Sequence, residues 1–193
     1  MEQYPEKKVL LLESALDLIK EHGFHGTPVS LVAKTAGVAA GTVYTYFQSK
    51  DELILEIYSY VKSQVLQEIS SLDPVEKSFE ERFLALWDNW ISLYLRRISF
   101  QSFLEQFASS PYNTEEVQEQ ADPLEAWFLD FFRQGVESGV LREMDPRLLM
   151  VLVKGNVISM IRFKTYFSKK LKNTEEELKM IPKMIWDAIK KQD

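Results

Sequence analysis

A chain of 193 residues, 46% hydrophobic and 12% aromatic, holds enough apolar material for a small domain and a larger one, which excludes an intrinsically disordered chain. The absence of cysteine excludes a disulfide framework and a thiolate metal site. The N-terminus carries no charged, then apolar, then small-residue signal pattern. The apolar stretch Leu148 to Val153 meets Lys154 and Arg162 well before the ~20 residues a membrane span requires, so a cytoplasmic protein without membrane contact is expected.

In chain order, Lys8 to Glu21 carries Val9, Leu12, Leu16 and Ile19 at three- and four-residue spacing, which predicts an amphipathic first helix ending at His22-Gly23. The stretch Thr27 to Leu53 then outlines a helix-turn-helix. Thr27 is read as a hydroxyl cap and Pro28 as a first-turn residue, with Val29, Val32, Ala33 and Ala36 on one apolar face. Gly37 suits the left-handed end of that helix, and a second short helix is predicted from about Ala39 to Phe47 with Val43 and Phe47 inward. Its other face offers Ala40, Gly41, Thr42, Tyr44, Thr45 and Tyr46, small residues and hydroxyls suited to DNA backbone and base edges.

The ordered series Val32-Ala33, Ala36-Gly37-Val38, Gly41-Thr42-Val43-Tyr44, Tyr46-Phe47 and Ser49-Lys50-Asp51-Glu52-Leu53 resembles the DNA-binding domain of the TetR family of bacterial transcriptional regulators over residues 9 to 57. The resemblance implies an all-α protein with a three-helix DNA-binding domain, residues 1–50, and a helical effector-binding and dimerisation domain, residues 51–193. It implies that Tyr44, Tyr46 and Lys50 contact phosphates, that Ser30, Ala40 and Thr45 lie where base edges are read, and that Thr27, Gly41 and Thr42 belong to the same surface. Ala39 stands where members usually have a capping Ser, and Thr45 where many have His, so no operator sequence carries over.

A net charge of −6 is compatible with DNA binding because of where the charge lies. Residues 22–50 contain Lys34 and Lys50 and no Asp or Glu, whereas residues 51–193 hold 18 bases against 24 acids. An acidic body with a carboxylate-free reading surface docks on DNA in one orientation.

Beyond Lys50 the pattern predicts a long helix to about Leu72 with Leu53, Ile57, Tyr60 or Val61, and Val65 on one face. Further helices are expected at about 75–95, 97–109, 114–121 and 123–138, the last started by Asp122-Pro123 and closed by Gly139. Asp145-Pro146 opens another helix to about Ser168, and Asn173-Thr174 with Glu175 to Glu177 caps a last one to about Lys190, with Pro182 kinking it or marking its true start. Leu149, Val153, Val157 and Met160, and Leu178, Ile181, Ile185 and Ile189, form stripes on these two helices. They pack either on their own chain's core or, as the resemblance implies, across a two-fold interface with a second copy. Close helix approach would explain Gly155.

The aromatic-rich centre suggests a pocket for a small apolar or aromatic effector, with Trp87, Trp90, Tyr94, Phe103, Phe107, Trp127, Phe128, Phe131, Asn156 and Met160 as candidate lining residues, each also readable as plain core. Asn89, Gln106, Asn156 and Arg162 are candidate polar anchors. His22 and His25 lack further ligands for a metal, and no nucleotide loop, nucleophile elbow or HExxH occurs, so no enzyme, metal or cofactor is expected. The expected partners are a double-stranded operator, a second copy and an effector. The expected function is a ligand-responsive homodimeric repressor on a near-palindromic operator. The alternatives are a DNA-bound adaptor that recruits a protein without an effector, and a helical dimer that has lost DNA binding.

Overall fold

The computed structural model describes residues 4–167 and 174–192; the expected cap at Asn173 and helix end at Ser168 lie outside the described residues. Its helices are α1 (Glu6–His22), α2 (Val29–Thr35), α3 (Ala40–Tyr46), α4 (Lys50–Ser71), α5 (Phe79–Arg96), α6 (Ile98–Ala108), α7 (Glu115–Glu119), α8 (Pro123–Glu137), α9 (Pro146–Arg162) and α10 (Thr174–Ile189), with a π-helical turn Phe163–Phe167 after α9. The described residues contain no named strand, only an isolated antiparallel bridge between Leu141 and Lys190.

By packing the chain divides into two units. The first comprises residues up to 64 and Arg97–Ala121; the second comprises Val65–Arg96 and Asp122 onward. The sequence boundary at residues 50 and 51 follows the DNA-reading motif, whereas the packing division places α6, which contacts α1, and α7 in the first unit.

In the first unit α1 buries Leu11, Leu12, Ala15, Leu16 and Ile19, and α2 buries Val32 and Ala33. The first half of α4 buries Leu53, Ile54, Ile57, Tyr60 and Val61 on the face the sequence predicts. The aromatics Phe103 and Phe107 are fully buried here, Phe107 stacked on Tyr58 at 4.1 Å and Phe103 edge-on to Phe24 at 5.7 Å. Each such side chain contributes on the order of 1.5–3 kcal/mol through removal from water.

The second unit is organised around α5, whose start is fixed by a reciprocal cap: the Ser78 N–H donates to the Glu81 carboxylate at 3.1 Å and the Glu81 N–H to the Ser78 hydroxyl at 3.3 Å. The Ser78 hydroxyl also donates to that carboxylate, at 2.7 Å, and this bond, followed by the one from the Ser78 N–H, holds the Glu81 carboxyl below the usual carboxylate range. The helix therefore begins at Phe79 rather than 75. Arg82 donates to both oxygens of Asp73, at 3.0 and 2.8 Å, closing the loop before α5 and keeping the guanidinium protonated. Trp90 stacks on Phe128 of α8 at 4.3 Å, and Trp186 of α10 lies against Phe83 at 5.4 Å. Asp122 and Asp145 each accept the backbone N–H two residues on, so Pro123 and Pro146 occupy first helical positions where no N–H is needed. Gly37 and Gly139 take φ of +68° and +72°, with Val38 bonded to the Ala33 carbonyl and Val140 to the Gly135 carbonyl, the ends the sequence predicts. Pro182 lies inside α10 and does not mark its start.

The expected interface stripe is largely covered within the subunit itself. Leu149, Val153, Val157 and Met160 on α9 and Ile189 on α10 are buried, and Leu178, Ile181 and Ile185 are half-buried. Alpha9 is apolar on a second side: Leu148, Val151 and Leu152 are exposed, as are Met180 and Met184 on α10. A Cβ added to Gly155 would meet nothing within 4 Å, so no close approach within this chain explains that glycine.

Candidate nucleic-acid interface

The reading surface is set by what α3 buries. Val43 and Phe47 are buried, which turns Ala40, Gly41, Tyr44 and Thr45 to solvent and leaves Thr42 and Tyr46 half-buried at the edges. Ala39 occupies the N-cap of α3, so no side-chain acceptor caps the first N–H groups of the helix. Gly41 has open space where a Cβ would be, so a DNA backbone or base edge can approach closely. Tyr44 is 58% exposed. The Thr45 hydroxyl donates back to the Gly41 carbonyl at 3.2 Å, and Ser30 on α2 is exposed. These side chains make a small, uncharged, hydroxyl-bearing surface with Lys34 exposed nearby in sequence.

Two expected contact residues are placed differently. Thr27 is 3% exposed, and its hydroxyl donates to the Gly23 carbonyl at 2.9 Å instead of capping α2. The physical reason is that Pro28 takes the N-cap, so Thr27 closes the preceding turn. Lys50 is half-buried and its Nζ donates to the Phe24 carbonyl at 2.5 Å, tying the start of α4 to the loop between α1 and α2.

The candidate pocket residues do not form one cluster. Phe103 and Phe107 lie in the first unit, while Trp87, Trp90, Tyr94, Trp127, Phe128, Phe131, Asn156 and Met160 lie in the second. There Trp87, Trp90, Tyr94, Phe128, Phe131 and Met160 are buried and Trp127 half-buried, stacked on Phe131 at 5.8 Å. Three of the four expected polar anchors donate to backbone carbonyls. Gln106 donates to the Ile19 carbonyl, Asn89 to the Leu72 carbonyl and Asn156 to the Leu152 carbonyl of its own helix; Arg162 is exposed. His22 and His25 are exposed, and no group of three or more metal-ligand side chains occurs among the described residues.

The pattern described as "Bacterial regulatory proteins, tetR family" matches residues 11–57, and that described as "Tetracyclin repressor-like, C-terminal domain" matches residues 78–190. The chain belongs to the TetR family. It is a DNA-binding transcriptional regulator, and α2 and α3 are its helix-turn-helix. Among TetR-family relatives it is 28% identical to the fatty acid metabolism regulator protein of Bacillus subtilis, over 81% of this chain and 82% of that one. It is similar to the crystal structure of a TetR family regulator from Marinobacter aquaeolei, with a TM-score of 0.84, 25% identity and 96% of each chain covered. The fold also matches FadR from Bacillus subtilis, solved in complex with stearoyl-CoA, with a TM-score of 0.73 at 18% identity over 93% of this chain and 95% of that one.

Sequence reasoning missed the contacts by which α6 packs along α1. Arg97 reaches Glu13, Gln106 reaches Ile19, and Phe103 and Tyr112 flank Phe24. No short-range pattern signals pairs separated by 79 to 88 residues.

Proposed function

We propose that the protein is a homodimeric, ligand-responsive repressor of a near-palindromic operator. The observation that carries this reading is a second apolar side on α9. Leu148, Val151 and Leu152, with Gly155 open beside them, and Met180 and Met184 on α10, supply large apolar side chains to solvent that a second copy would cover. Two reading heads joined in this way meet successive major grooves about 34–36 Å apart, which makes the operator a near-palindrome.

The effector class tested first is the long-chain acyl thioester. Its support is the similarity to a regulator of fatty acid metabolism, the stearoyl-CoA bound by a protein of the same fold, and an aromatic-rich second unit in which the buried Trp186 indole nitrogen has no hydrogen-bond partner. An effector that binds the DNA-free form tenfold more tightly supplies ~1.4 kcal/mol of coupling, and operator DNA weakens the effector by the same factor.

The test is a mobility-shift titration of the DNA upstream of the protein's own coding region at ~150 mM salt, with and without stearoyl-CoA. Retardation that the thioester reverses is expected. Retardation unchanged by stearoyl-CoA and by apolar and aromatic metabolites would favour the adaptor reading.

A further inference from the structure

The Glu13 carboxylate, on the middle of α1, is the meeting point of three helices. The Tyr60 hydroxyl of α4 donates to its Oε1 at 2.5 Å, and one guanidinium nitrogen of Arg97 donates to Oε1 and Oε2 at 2.5 and 2.6 Å. Arg97 is the single residue between α5, which ends at Arg96, and α6, which begins at Ile98; its φ of −119° and ψ of 58° are not helical. Its guanidinium lies 4.0 Å from the Phe100 ring centroid, and Tyr60 is edge-on to that ring at 6.3 Å. Burial, followed by the neighbouring Glu13 carboxylate, pushes the Tyr60 phenol well above its ordinary value, so it remains a proton donor. A second tie, Lys8 to Glu56 at 2.8 Å, also joins α1 to α4.

From this point α6 follows α1 towards the reading head. Gln106 donates to the Ile19 carbonyl at 3.3 Å, Phe103 and Tyr112 pack on Phe24, and the Phe24 carbonyl accepts from Lys50 at the start of α4. The loop between α1 and α2 is thus held through Phe24 by Phe103 of α6, by Tyr112 just beyond it, and by Lys50. How α6 begins therefore bears on where α2 and α3 stand.

We propose that Glu13 is a positioning residue for DNA binding: by holding Arg97 and Tyr60 on one carboxylate it clamps the start of α6 to α1 and α4 and fixes the attitude of the reading helices. Only a carboxylate offers two acceptor oxygens and no donor, which a phenol and a guanidinium require together. The pair is part-exposed, so its weight in global stability is small, and its effect falls on which arrangement of α6 is populated. Preorganised reading heads bind more tightly because less ordering is required on association. The proposal needs DNA binding but does not depend on the ligand-responsive reading.

The test uses the full chain and a duplex selected by the wild-type protein from a random pool. Glu13→Gln, nearly isosteric, turns an amide NH2 towards the guanidinium. It should weaken the duplex three- to tenfold at ~150 mM salt and speed amide hydrogen exchange of residues 98–108 about tenfold, with exchange of residues 146–162 unchanged. Tyr60→Phe, which removes one donor without polar mismatch, should move both readouts the same way by a smaller factor. In a double-mutant cycle, Glu13→Gln with Arg97→Met should bind DNA no worse than either single variant. Additive losses, unchanged protection of α6, or equal loss of protection at 146–162 would each overturn the proposal.

Discussion

Tyr94 is buried on α5, and removal from water pushes its phenol up to about 12. In the unfolded chain the same group ionises near ~10, so below that pH both states hold the proton and stability is flat. Between pH 10 and 12 the unfolded state loses the proton first, and stability falls by ~1.4 kcal/mol per pH unit. Tyr94→Phe removes this contribution. Urea denaturation at pH 9 and pH 11 should show a smaller alkaline loss in the variant than in the wild type; equal losses would mean the folded phenol titrates as freely as in solution. Gly135 tests packing at a single atom. A Cβ there would lie 2.5 Å from Leu141 Cδ1 and 2.6 Å from Phe79 Cζ, so Gly135→Ala should cost about 1–3 kcal/mol, read as a lowered thermal midpoint.

At the scale of the element, helix ends were legible wherever the chemistry is local. Asp122-Pro123, Asp145-Pro146, Gly37 and Gly139 mark ends that the structure reproduces. Asp122→Ala should cost ~1 kcal/mol by orphaning the Leu124 N–H, measurable by chemical denaturation. The start of α5 lies at Phe79 rather than at about 75 because Ser78 and Glu81 form a capping box, which apolar periodicity does not register. The face of α3 was legible because Val43 and Phe47 set its phase. On α9 periodicity could not choose: Leu149, Val153 and Val157 and then Leu148, Val151 and Leu152 both recur at helical spacing, and only packing against α5 and α8 shows which set is interior. The Glu13 cluster was illegible because its partners are 47 and 84 residues away.

For the whole molecule, the two sides of α9 predict opposite behaviour for the same substitution. Val157 is 0% exposed, so Val157→Asp buries a carboxylate within the subunit and should cost more than ~3 kcal/mol, giving insoluble or unfolded protein. Val151 is 61% exposed, so Val151→Asp should leave thermal stability of the subunit nearly unchanged while sedimentation shifts from dimer to monomer. A Val151→Asp protein that sediments as the wild type does would remove this side of α9 from the interface.

The division into packing units bears on how such regulators can be recombined. The chain passes between its units three times, at residues 64, 96 and 121, so no single cut point separates them. A hybrid sensor that grafts residues 1–50 onto the remainder of another regulator would keep Glu13, Ile19 and Phe24 while discarding Arg97, Gln106, Phe103 and Tyr112. Modular swapping of readers and sensors on this scaffold therefore requires that α6 and α7 travel with the reader, as a discontinuous cassette rather than as an N-terminal block.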